Sequence, residues 1–298
     1  MSPNDAYEAV RDAFVAYARG EWTMPPKTYV ANYPAGDFRA MPALGGGYAL
    51  LKWVTSFPRN PTRGLPTVTG LVLLSDAEDG RLLAVLDAAS VTALRTAAAG
   101  VLAAEVLARD DASSHSVVGC GANGAETARM LVARGVIPLV FDVDEARAHA
   151  VASEIGARVA ASAEEALACD VAITVTPGSR PLYEPGSLLP GQHVSLMGAD
   201  GPGKAEVALE ELARARLFCD DWEQASHGGE LAAAVAAGAV RREDVTELGA
   251  VLTGTAEGRR APDEITLFDS TGLAIQDLAI AKAALERAGE LDVPSFPL

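Results

Sequence analysis

The chain has 298 residues, 49% of them hydrophobic, enough for one large core or two ordinary ones. A formal net charge of −16 argues against nucleic acid and anionic membranes as partners, because both would be repelled. Three widely spaced cysteines (Cys120, Cys169, Cys219) without a C-x-x-C pair fit reduced thiols in a cytoplasmic protein. No uncharged apolar run approaches the roughly 20 residues of a membrane span.

In chain order, Tyr7, Val10, Phe14 and Tyr17 recur at helical spacing behind Asn4 or Asp5 as cap. The N-terminus therefore reads as an amphipathic helix and not as a signal peptide. Up to about Asp87 the signals are strand-like. Residues 49–57 form one candidate strand, and residues 67–74 and 82–86 form a hairpin across the turn at 76–80. Residues 45–47 and 58–66 read as loops, and residues 90–109 as a long alanine-rich helix.

From Ser116 to about Asp220 short apolar runs alternate with helical runs. Strands are expected at 116–118, 139–141, 171–174, 193–196 and 217–219, with helices starting near Gly124, Asp144 and Ala163. That alternation predicts a parallel, doubly wound sheet of the Rossmann kind. Residues 265–268 read as one more strand, and 273–287 as a final helix long enough to pack back onto the first domain.

Glycines at 119, 121 and 124 spell G-x-G-x-x-G between a strand and a helix, and Asp142 ends the next apolar run. The first glycine of such a motif makes a tight turn, the second admits a pyrophosphate to the backbone, and the third lets helix pack on strand. Asp142 is then the ligand for the adenosine ribose hydroxyls, which favours NAD over NADP as cofactor; its alternative is a helix cap. Lys52, between Leu51 and Trp53, is either a plain exposed strand lysine or a proton carrier with a lowered pKa. Arg95, inside an apolar helix, needs an anion: a phosphate, a substrate carboxylate or a structural acid. Asp200 follows an apolar strand, where open α/β sheets bind ligands, or forms an ordinary Asp-Gly turn. The four histidines show no metal spacing, so no metal site is expected.

The segments 87–109, Gly198-Ala-Asp-Gly-Pro-Gly-Lys-Ala-Glu206 and Phe268-Asp-Ser-Thr-Gly-Leu-Ala-Ile-Gln-Asp277 join Met41-Pro42, Lys52, Asn60 and the glycine motif in a wider pattern. Together they resemble the ornithine cyclodeaminase/mu-crystallin family over about residues 24 to 280. That family includes archaeal-type alanine dehydrogenases and imine reductases. The resemblance implies an α+β substrate-binding and dimerisation domain built from both termini (1–112 and 271–298) and an NAD-binding Rossmann domain (113–270). It implies Lys52 and Asp200 as catalytic residues, and Arg39, Met41, Lys52 and Arg95 as substrate-binding residues. Arg95, Thr96, Gly119, Gly121, Ala122, Asn123, Gly124, Asp142, Thr176, Met197, Gly198, Ala199, Lys204 and Ser270 are its implied cofactor contacts. A homodimer follows from the same resemblance.

Two positions depart from the pattern of ornithine-processing members. Lys27 stands where they carry a carboxylate-binding arginine, and Arg39 where they place a glutamate for the distal ammonium. A cation there should repel ornithine. Arg39 then takes over carboxylate binding, meets a second acidic group on the substrate, or is an outward-facing strand arginine. The reading reached is an NAD-dependent oxidoreductase on the carbon–nitrogen bond of a small α-amino or imino acid. The rivals are a cyclodeaminase that uses NAD catalytically and a non-catalytic, mu-crystallin-like binding protein.

Overall fold

The computed structural model describes residues 1–178, 180–199, 201, 203–290 and 294. The chain divides into two compact units, Met1–Arg95 with Leu273–Leu298, and Thr96–Gly272.

The first unit opens with α1 (Pro3–Ala18). Its cap is Ser2, whose hydroxyl accepts from the Asp5 amide while the Asp5 carboxylate reaches back, a reciprocal capping box. The expected caps Asn4 and Asp5 are thus corrected: both lie inside the helix, and Asp5 is the distal partner of the box. An antiparallel sheet follows in simple sequence order: β1 (Thr28–Asn32), β2 (Gly36–Gly45), β3 (Tyr48–Ser56), β4 (Val68–Asp76) and β5 (Leu82–Asp87). The hairpin of β4 and β5 stands where alternation placed it. The first two strands were not legible as separate strands, because β2 buries Asp37 and Arg39 among its inward positions and carries Pro42. Charge on the inner face breaks the apolar alternation that marks a strand.

Helix α2 (Ala88–Leu107) has the length and mean hydropathy of a membrane span, yet 67% of that stretch is buried within the protein. Where the sequence placed the first domain boundary at 112/113, the compact units divide inside this helix, between Arg95 and Thr96. The reason lies in its second half. The Gly100 carbonyl accepts from the Ser195 hydroxyl at 3.0 Å, and the Leu107 carbonyl from the Thr266 hydroxyl at 3.0 Å. His193 lies between those two hydroxyls, with Nδ1 2.9 Å from Thr266 Oγ1 and Nε2 3.0 Å from Ser195 Oγ, and its burial pushes its pKa down to about 3, so it stays neutral.

The second unit runs β6 (His115–Val118), α3 (Ala122–Ala133), β7 (Leu139–Phe141), α4 (Glu145–Ile155), β8 (Arg158–Val159), α5 (Ala163–Leu167), β9 (Val171–Thr174) and β10 (His193–Leu196). It continues with α6 (Leu209–Leu212), β11 (Arg216–Cys219), α7 (Trp222–Gly228), α8 (Ala232–Ala236), β12 (Val245–Glu247), α9 (Leu248–Leu252) and β13 (Thr266–Asp269). These eight strands form one parallel sheet in the order β8-β7-β6-β9-β10-β13-β11-β12. The winding reverses between β6 and β9, and it is at such a switch point that doubly wound sheets bind ligands. The last helix, α10 (Ala274–Glu286), returns to the first unit and packs on α1, β2, β3 and β4.

The turn between β6 and α3 depends on glycine at two positions. Gly119 sits at φ +101°, and a Cβ there would meet the Val175 carbonyl at 2.6 Å. A Cβ on Gly124 would fall 1.7 Å from the Gly119 carbonyl oxygen, so helix and strand approach too closely for any side chain. Gly124→Ala is expected to cost about 3 kcal/mol by overpacking, whereas Gly121→Ala, which meets nothing within 4 Å, should cost about 1 kcal/mol or less. Thermal unfolding of the two variants checks this; equal Tm values would contradict it.

Candidate active site

In the first unit, Lys52 lies at the middle of β3, opposite Met41 on β2 and Val72 on β4, on the inward face of the sheet. Its side chain is 1% exposed. A buried ammonium must be paired. Lys52 Nζ donates to Asp277 Oδ1 on α10 at 2.8 Å and to Thr92 Oγ1 on α2 at 2.6 Å. Burial lowers its pKa to about 8, opposed by Asp277 and reinforced by the cations Arg95 and Arg39. The plain exposed strand lysine is therefore excluded.

Arg95, one helical turn after Thr92, brings Nε to 3.6 Å from Asp277 Oδ1. That Nε is buried and forms no hydrogen bond among the described residues, and neither do the Thr96 hydroxyl or Asp277 Oδ2. Arg39 is buried on β2 and is held by Asp37 through Nε–Oδ1 at 2.6 Å and Nη2–Oδ2 at 3.3 Å, with its guanidinium over the Tyr29 ring. It is not the outward-facing strand arginine. Among the described residues, Lys52, Arg95 and Arg39 thus share one buried region with the carboxylates of Asp277 and Asp37. The orphaned Arg95 Nε is a donor ready for an anionic ligand. Lys27 stands immediately before β1.

In the second unit the glycine turn is built for a phosphate group. Gly121 caps α3 with open space on its Cα side, and Ala122 and Asn123 form the first turn of the helix, whose free amides favour an anion. Asp142 follows β7 beside this turn. Its Oδ2 accepts from the Cys120 amide at 2.6 Å and its Oδ1 from the Asp144 amide at 2.8 Å. Asp144, not Asp142, is the cap of α4, so the helix-cap alternative for Asp142 falls away. Each Asp142 oxygen keeps a lone-pair site for a ligand hydroxyl. Arg147 is paired with Asp144 at 3.2 Å.

Three further loops leave the carboxyl ends of β9, β10 and β13. Thr176 and Gly198 in the first two are tied together by Glu206, which is fully buried. Its carboxylate accepts from Thr176 N at 3.0 Å, Thr176 Oγ1 at 2.6 Å, Thr174 Oγ1 at 2.8 Å and Gly198 N at 2.9 Å. Burial raises its pKa against those four hydrogen bonds. Gly198 must be glycine, since a Cβ would sit 2.1 Å from the Thr176 carbonyl. Met197 and Ala199 are buried on either side of it, and Lys204 is partly buried in the segment leading to Glu206. Ser270 follows β13, but its hydroxyl donates to Asp220 Oδ2 at 3.2 Å, so that hydroxyl is committed inside the fold. Asp200 lies outside the described residues. Among the described residues, no group of three or more His, Cys, Asp or Glu side chains is arranged to hold a metal ion.

The expected residues thus gather in two places: Arg39, Met41, Lys52 and Arg95 in the first unit, and Gly119 to Gly124, Asp142, Thr176 and Met197 to Ala199 at strand ends of the second. Sequence reasoning missed Asp277, Thr92, Asp37 and Glu206. Asp277 had a readable signal. It is the one acid in the apolar run 273–281, as Arg95 is the one base in 88–104, and two lone opposite charges on apolar helices are natural partners.

A model of the ornithine cyclodeaminase/mu-crystallin family matches residues 1–291. The alanine dehydrogenase of Archaeoglobus fulgidus is 44% identical over 308 residues, covering 99% of this chain and 94% of that protein. An archaeal alanine dehydrogenase dimer with bound NAD superposes with a TM-score of 0.92, at 44% identity over 99% of this chain and 94% of that one. The Thermococcus litoralis Δ1-pyrroline-2-carboxylate reductase, in complex with NADH and L-proline, does so at 0.90 with 28% identity over 97% and 94% of the two chains. With the fold and the glycine turn in place, these matches establish that the chain belongs to the ornithine cyclodeaminase/mu-crystallin family.

Proposed function

We propose that this chain is an NAD-dependent oxidoreductase acting on the carbon–nitrogen bond of a small α-amino or α-imino acid. The observation that carries the reading is the buried cluster around Lys52, a lysine whose pKa burial lowers to about 8, beside the unsatisfied Nε donor of Arg95. NAD, held at Gly119–Gly124 and Asp142, supplies the hydride acceptor or donor at the substrate Cα. The relatives with NAD or NADH bound support that cofactor, and the carboxylate of Asp142 disfavours a 2′-phosphate there.

The chain's own residues handle charge and protons. The orphaned guanidinium edge of Arg95 takes the substrate carboxylate. In the oxidative direction neutral Lys52 accepts a proton from the substrate ammonium, which frees the nitrogen lone pair as hydride leaves Cα. In the reductive direction the Lys52 ammonium returns that proton to the nitrogen. Asp200 is assigned by the family pattern alone, to orient amine or water. A cyclodeaminase needs a carboxylate for a distal ammonium. Asp37, the acid that shares the inward face with Arg39 and Lys52, is already committed to Arg39, which favours a substrate without a second amine.

A homodimer belongs to the same reading. The outward face of the antiparallel sheet presents Leu44, Leu51, Trp53, Leu71 and Val85, each 39–54% exposed, as a contiguous apolar surface, and a relative of known structure is a dimer. The buried, unpaired thiols of Cys120, Cys169 and Cys219 suit a cytoplasmic setting.

A panel of amino acids with NAD, and of keto acids plus ammonia or amines with NADH, followed at 340 nm, tests the reaction. Net cofactor turnover with a small neutral amino acid or its keto acid is expected; product without net cofactor change would establish a cyclodeaminase instead. Lys52→Ala should lower turnover by at least about 10²-fold and leave the NAD dissociation constant unchanged. Sedimentation should find a dimer that Leu71→Lys combined with Trp53→Lys converts to monomer; a monomeric wild-type protein would contradict the sheet-face interface.

A further inference from the structure

We propose that Asp277 is a positioning residue: it sets the charge on Lys52 and, with Thr92, leaves that lysine a single direction in which to pass its proton. The proposal rests on the reading of Lys52 as the proton carrier. The Thr92 hydroxyl spends its own hydrogen on the Ala88 carbonyl at 2.6 Å, so toward Lys52 it can only accept. Two of the three ammonium hydrogens are therefore fixed, one on Thr92 Oγ1 and one on Asp277 Oδ1. The third has no partner among the described residues. When Lys52 is neutral, its two remaining hydrogens keep these acceptors and the lone pair takes the third direction. One proton leaves and the same position receives it back; no other bond changes.

The charges around Nζ come from every element packed on it. Asp277 on α10 is the anion in contact; Arg95 on α2 and Arg39 on β2, the latter paired with Asp37, are the opposing cations; β4 presents the apolar Val72. Asp277 favours the ammonium and the arginines disfavour it. Removing Asp277 would shift the lysine toward the neutral base, and removing the arginines would shift it toward the ammonium. Asp277 is buried and reaches the reaction only through Lys52 and Arg95, which is why it acts by position.

The test uses the four lysines of the chain, Lys27, Lys52, Lys204 and Lys282. In protein labelled at lysine 13Cε, the resonance lost in Lys52→Met identifies Lys52. Its midpoint should lie near 8 in the wild type. Asp277→Asn, which keeps the shape and an acceptor oxygen but removes the charge, should lower it by about one pH unit or more, a tenfold change in protonation. The acid limb of kcat/KM for amino acid oxidation should move down with it, while the NAD dissociation constant stays unchanged. Arg95→Gln should move the resonance the other way, so the proposal is testable even if Asp277→Asn does not fold. A midpoint that neither variant moves would overturn it. Opposed shifts in a protein that turns over no amino or imino acid would support the role of Asp277 and overturn the functional reading alone.

Discussion

The burial of one ammonium group organises the first unit. Lys52 sits at the centre of a β-sheet, out of reach of water, and an unpaired charge there would be expelled or neutralised. Its counter-ion comes from 225 positions away, on the last helix. This requirement gives a physical reason for a unit assembled from both ends of the chain: α10 covers β2, β3 and β4 and in doing so delivers Asp277. Breaking such a buried pair by removing one partner typically costs about 3–5 kcal/mol. The fold of this unit and the charge on Lys52 therefore depend on the same contact.

The second unit solves a different problem with backbone. Its parallel ladder continues past the strand ends, Met197 N donating to Thr174 O and Ser270 N to Leu196 O, so the loops leave the sheet in fixed directions. Glu206 then clamps two of those loops with one buried carboxylate. Around the glycine turn, three glycines answer three constraints: a left-handed backbone at Gly119, open space at Gly121 and close helix–strand contact at Gly124. Only the open one leaves room for a ligand. The other two hold the turn in shape, which is why the same G-x-G-x-x-G can fail in stability at one position and in binding at another.

Much of this was legible in the sequence. Three of the parallel strands, 139–141, 171–174 and 193–196, stand at the residues expected, because each is a short, mainly apolar or fully buried segment between helical runs. Asp142 and the glycine turn were legible because their spacing is set by one strand–helix–strand unit. The order of β11, β12 and β13 was not, since β13 inserts between β10 and β11 and nothing local records that choice. Nor was the partner of Lys52. Local pattern shows that Lys52, Arg95 and Asp277 each interrupt an apolar run; only the tertiary fold shows that they interrupt it at one place. Arg39 illustrates the same limit, because its substitution pattern spoke of substrate while its immediate partner is Asp37, two residues away.

The proposed function turns on a substrate carboxylate taken up by Arg95 beside a lysine whose pKa burial lowers to about 8. Calorimetric titration of pyruvate into the NAD-loaded protein at pH 8, repeated in buffers of different ionisation enthalpy, measures the protons exchanged on binding. A carboxylate entering this cluster must raise the pKa of Lys52, so the account predicts uptake approaching about half a proton, abolished in Lys52→Met. Pyruvate binding with no proton exchange, or with proton release, would contradict it.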